Sequence, residues 1–91
     1  MYLHLGQNTV VTYDEIIGVF DLDTSTVEKN TRDYLAAAEK KGEVINVSFE
    51  LPKSFIVCKK AGEKGKRVYI SQISTATLLR RTQLELPERN I

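Results

Sequence analysis

Residues 15–22, EIIGVFDL, place Ile, Val, Phe or Leu at five of eight positions, with nothing polar between Ile16 and Phe20. A strand solvated on one face alternates apolar and polar residues. A strand covered on both faces reads instead as a near-continuous apolar run. The run falls well short of the roughly 18 apolar residues that a membrane-spanning helix needs. It is therefore expected as the third strand of the chain and as the centre of a sheet, and the other elements have to be arranged around it.

Those elements can be read from turn and cap chemistry. MYLHL and TVVTY are short strand-forming runs joined by the turn residues Gly6-Gln7-Asn8, which predicts a hairpin. In DTSTVEKNTRDYLAAAEKKGE the residues Val27, Thr31, Tyr34, Leu35 and Ala38 recur at helical spacing. Thr24, Ser25 or Thr26 is placed to cap the first amides, and Gly42 follows the last turn. VINVS reads as a fourth strand and Pro52 as a connection. SFIVCKK and RVYIS flank AGEKGK as a second hairpin, and Ser74 or Thr75 opens a short helix, TATLLRR. The expectation is one α+β domain over residues 1–82, in the order β-β-β-α-β-β-β-α, with a mixed or antiparallel sheet, one long helix and one short one. Residues 83–91, which include Pro87, are expected as a disordered tail. A chain of 91 residues buries only about 60 to 65% of its unfolded surface, so its core is thin and assembly with copies of itself would support it.

The same apolar run ends in Asp21-Leu22-Asp23-Thr24, the arrangement in which haloacid-dehalogenase-type phosphatases present a nucleophilic and a proton-donating carboxylate. Such a site also needs Mg²⁺, a second acidic pair and a lysine, carried on a larger doubly wound sheet. A chain this short does not supply them, and Asp, Ser and Thr are the ordinary residues of a strand-to-helix junction. His4 has no cysteine or second histidine near it in sequence, so neither a metal site nor a nucleophile pair is expected. Cys58, the sole cysteine, lies inside SFIVC and reads as a core thiol in a reducing compartment. Tyr34 and Tyr69 read as packing residues. No enzyme, metal or cofactor is expected, nor is a signal or membrane segment, and a cytoplasmic location follows.

Charge is informative once the chain is divided. Residues 1–50 carry a net −5 and residues 51–91 a net +6, so the overall +1 conceals a dipolar molecule. The positive half holds Lys53, Lys59, Lys60, Lys64, Lys66, Arg67, Arg80 and Arg81, which together form a candidate surface for the phosphate backbone of double-stranded DNA. In a hairpin closed around AGEKGK, Lys60 and Arg67 are expected opposite one another, a repulsion that a polyanion would relieve. Water screens exposed charges at little cost, so charge alone permits such a contact without requiring it. Gly62 and Gly65 form a lone G-x-x-G. With strands on both sides, they are expected to serve the turn rather than to clamp a backbone.

Taken together, MYLHLGQNTVV, EIIGVFDLD and RVYISQISTATLLRR resemble the RemA/RemB family of bacterial extracellular matrix regulatory proteins, the RemB branch more than the RemA branch, over residues 1–82. The resemblance implies a cytoplasmic, non-enzymatic transcriptional regulator of extracellular matrix and biofilm genes. In the RemA branch it implies a DNA binder that assembles into rings, and it allows a related regulator subunit as partner. RemA-like proteins carry an arginine just before the central strand and an arginine pair before the fifth; here those positions are Glu15, Glu50 and Leu51. The expected contacts therefore move toward Lys53, Lys59, Lys60 and the hairpin tip. The alternative reading is an oligomeric adaptor whose acidic and basic halves meet other protein surfaces without DNA.

Overall fold

A computed structural model of the protein describes residues 2–22 and 28–85. Its elements are β1 (Tyr2–Gly6), β2 (Thr9–Thr12), a 3-10 turn (Tyr13–Glu15), β3 (Ile16–Asp21), α1 (Lys29–Lys40), β4 (Val44–Asn46), β5 (Ser54–Cys58), β6 (Arg67–Ser71) and α2 (Thr75–Glu85). This is an α+β domain with the strand and helix order expected from the sequence. The second helix differs from expectation: it runs past TATLLRR to Glu85 and has 11 residues, against 12 in α1. Asp23 to Thr26, expected to open the first helix, lie outside the described residues, as do Pro87 and most of the expected tail.

Local chemistry explains most boundaries. Gln7 takes a left-handed φ of 48° to turn β1 into β2, and the His4 ring holds that turn by donating from Nε2 to the Gln7 carbonyl at 2.8 Å. α1 stops where Gly42 adopts φ 74°. There the Glu43 amide reaches back to the Ala38 carbonyl and the Gly42 amide to the Glu39 carbonyl, both at 3.0 Å, which satisfies carbonyls that the helix end would otherwise orphan. Ser74 opens α2, its Oγ accepting the Thr77 amide at 3.2 Å.

The strands form two sheets. β1 and β2 pair as an isolated antiparallel hairpin, and the other four form a mixed sheet in the order β3-β5-β6-β4, with β4 parallel to β6 and the remaining pairs antiparallel. All five residues of β5 are buried. Ile56 and Cys58, with Tyr69 of β6, pack against Leu3, Leu5, Val11 and Leu78 of the hairpin and α2. Phe55 and Val57, with Val68, pack against Ala38 and Leu35 of α1 on the other side. Two buried serines opposite each other in the β5–β6 ladder tie the layers together. Ser71 donates to the Leu5 carbonyl at 2.7 Å and accepts the Ile73 amide, and Ser54 donates to the Ile73 carbonyl.

The structure corrects the placement of EIIGVFDL. β3 is an edge strand, and the centre belongs to SFIVC and RVYIS. A bulge at Ile17 shifts its register against β5, and Ile17, Val19 and Phe20 remain exposed. A Cβ at Gly18 would stand 2.7 Å from the half-exposed Phe20 ring, so a side chain there would make that ring shift.

Two outcomes follow from this core. Ile56 is completely buried, so Ile56→Ala is expected to lower the unfolding free energy by about 2 to 5 kcal/mol. Val10→Ala, at an exposed position, should change it by about 0.5 kcal/mol or less; urea denaturation compares the two. Burial first, and then the Glu15 carboxylate, push the Cys58 thiol up from 9.0 to about 11, with Arg67 pulling the other way. The fold thus holds the neutral thiol. Its contribution is complete below pH 9 and declines as pH rises toward 11, a slope that Cys58→Ala should reduce, most clearly between pH 9 and 10, when both proteins are unfolded across that range.

Candidate nucleic-acid interface

The hairpin tip between β5 and β6 is built on backbone bonds that leave its lysine side chains free to face solvent. The Lys59 amide donates to the Glu15 carbonyl at 2.8 Å, and the Lys60 carbonyl accepts the Glu63 amide at 3.1 Å, closing a turn in which Gly62 takes φ 88°. Glu43, just after α1, fastens the return limb. Its Oε2 accepts the Lys66 amide at 3.1 Å and its carbonyl accepts the Val68 amide at 2.8 Å. A Cβ at Gly65 would stand 2.8 Å from that Oε2. Both glycines of the G-x-x-G therefore serve loop geometry, and a carboxylate already occupies the Lys66 amide.

Lys59, Lys60, Lys64 and Lys66 are exposed, and none has an ion-pair partner among the described residues. Arg67 is different. The ladder puts it opposite Cys58 rather than Lys60, which sits in the turn, so the expected Lys60–Arg67 repulsion does not arise. Its guanidinium donates to both Glu63 carboxylate oxygens, at 2.5 and 3.4 Å, and to the Tyr69 hydroxyl at 3.2 Å. The Glu63 bonds and then the Tyr69 bond raise its pKa further, so it is charged at any working pH.

The other sequence-derived cations lie elsewhere. Lys53 is exposed at the opposite end of β5, about 20 Å along the strand from Lys59. Arg80 is exposed on α2, while Arg81 is half-buried, with Nη1 donating to the His4 carbonyl at 2.9 Å. One chain therefore gathers five of the eight cations at a single tip and separates the other three. Sequence reading missed a sixth member, Lys41, because it falls in the acidic half. The sharp turn at Gly42 brings it to the groove lined by Lys64 and Lys66.

The remaining sequence candidates have structural roles. Tyr69 is buried and bonded to Arg67, so its ring has no free face for a base. Tyr34 stacks against Phe55 with ring centroids 6.5 Å apart, and burial, with the Glu43 charge, raises its pKa. Asp21 pairs with Ser54 in the β3–β5 ladder. Among the described residues no three His, Cys, Asp or Glu side chains are grouped to hold a metal ion, and no helix is long and apolar enough to cross a membrane.

Comparison with known proteins identifies the family of the chain. The family model described as RemA-like, extracellular matrix regulatory protein A-like, matches residues 2–82. Extracellular matrix regulatory protein B of Bacillus subtilis (strain 168) is 30% identical over 83 residues, an alignment that spans 91% of each chain. With a match running from the first strand into the second helix, the chain belongs to the RemA-like family.

Proposed function

We propose that the protein is a non-enzymatic transcriptional regulator that works as a homo-oligomer in the cytoplasm and holds the phosphate backbone of double-stranded DNA. The observation that carries this reading is the hairpin tip: four exposed lysines within eight residues, unpaired among the described residues, on a loop fixed by Glu43 and backed by the Glu63-bound Arg67. Lysine side chains without an ion-pair partner among the described residues, spaced along a loop whose backbone is tied to Glu43, suit a repeating anion. They position a protein on a duplex without reading its sequence.

In this reading Lys59, Lys60, Lys64 and Lys66 make the principal contacts. Lys53 and Arg80 extend the surface, and Arg67 and Arg81 contribute charge from the positions where Glu63 and the His4 carbonyl hold them. The tip of one chain offers only a few contacts. A homo-oligomer repeats it, and the sum of weak contacts becomes tight binding. Glu15 adjoins the tip through the Lys59 amide, while Glu50 and Leu51 lie at the Lys53 end, so the positions expected to carry arginine in RemA-like proteins do not form one patch in a single chain.

Among the described residues the Lys59, Lys60 and Lys64 side chains make no hydrogen bond or ion pair, which allows a clean test. The triple variant Lys59→Glu, Lys60→Glu, Lys64→Glu should keep its solution mass and melting temperature. It should lose measurable binding to a duplex of about 100 base pairs at low salt, because each phosphate contact contributes about 0.9 to the salt slope. Unchanged affinity would contradict the proposal.

A further inference from the structure

Among the described residues β3 is covered on one edge by β5 and has no strand on the other, with Ile17 58%, Val19 38% and Phe20 43% exposed. On the α1 side of this edge lies a groove of about 390 Å³, walled by Ile17, Phe20, Tyr34, Phe55 and Val57, with Lys66 among its lining residues. The Phe20 and Phe55 rings stack at 4.9 Å along its floor. The groove is thus an apolar trough with a cation at its margin. No side chain among the described residues forms an ion pair with Lys66.

A complementary feature projects from the other edge of the same sheet. Between β4 and β5, Phe49 is fully exposed and Leu51 is 77% exposed, with Glu50 between them. The Glu50 amide donates to Ser48 Oγ at 3.1 Å, which fixes the presentation of this apolar-acidic-apolar tripeptide. Phe49 borders Asn46, Pro52 and Ile70 at the β4 side, three strand spacings, about 14 Å, from β3. Phe49 and Glu50 therefore lie toward the far side of the sheet from the groove, with Leu51 leading into β5, and a second copy is the partner that brings the tripeptide and the groove together.

We propose that Phe49-Glu50-Leu51 of one copy docks into the β3 groove of the next, Phe49 and Leu51 covering Ile17, Phe20 and Tyr34 while Glu50 pairs with Lys66. This rests on the homo-oligomer of the proposed function and specifies its contact. The contact is head-to-tail, so it generates a closed ring or an open filament rather than a two-fold dimer. Lys66, counted above among the phosphate contacts of a single chain, pairs with Glu50 in the assembled protein, and Lys59, Lys60 and Lys64 remain for phosphate. The contact also gives Glu50 and Leu51 a role at the positions where RemA-like proteins are expected to carry arginines.

The test is solution mass measured without DNA, so that loss of DNA binding by an intact oligomer counts against the proposed function and not against this contact. The wild-type protein should be an oligomer. Phe49→Glu and Phe20→Glu should each give folded monomers, and an equimolar mixture of the two should form a dimer and stop there, since it contains one intact plug and one intact groove. Glu50→Lys and Lys66→Glu should each weaken assembly by about tenfold or more, and the two changes in one chain should restore it. This charge swap at two exposed positions decides the matter even where Phe20→Glu fails to fold. A monomeric wild-type protein, an oligomer unchanged by Phe49→Glu, a mixture that forms no dimer, or a charge swap that does not rescue would overturn the proposal.

Discussion

The structure depends on the double burial of β5. SFIVC lies between two strands in its sheet and between two layers across it, so its alternating side chains enter both cores: Ile56 and Cys58 face the hairpin and α2, and Phe55 and Val57 face α1. In a chain this small, one strand shared by two thin cores is what makes either stable. Ser54 and Ser71 fix the arrangement, because their hydroxyls satisfy loop and hairpin backbone groups that would otherwise be buried without partners. The positions of β3 and the basic tip both follow from their attachment to β5.

Local patterns made the element order legible. Gly6-Gln7-Asn8 marked the first turn, the Leu35 and Ala38 spacing with Gly42 marked α1, and Ser74 marked the start of α2. What sequence could not rank was which apolar strand sits at the centre. EIIGVFDL and SFIVC have the same kind of composition, and hydrophobicity records that a surface is to be covered without recording what covers it. β3 pairs with β5 on one edge and keeps Ile17, Val19 and Phe20 exposed, so an edge strand reads like a central one.

The candidate site was legible in composition but not in arrangement. The concentration of lysines in residues 59–66 was visible from charge alone. The hairpin register was not: Arg67 falls opposite Cys58, and Glu63, four residues before it, neutralises the one arginine that seemed to demand an anion. Lys41 was hidden for the opposite reason, since only the chain reversal at Gly42 brings it to Lys64 and Lys66. Charge counts divide a chain by sequence, whereas a phosphate backbone meets whatever the fold places on one surface.

The measurement that tests the central claim most directly is affinity for a duplex of about 100 base pairs across a range of salt concentrations, with the protein's mass determined in the same buffers. The account predicts an oligomer whose log-log slope exceeds about 7, more than the eight candidate cations of one chain would give at about 0.9 per phosphate. An intact oligomer that does not bind at low salt would contradict it and would assign the basic half to protein contacts.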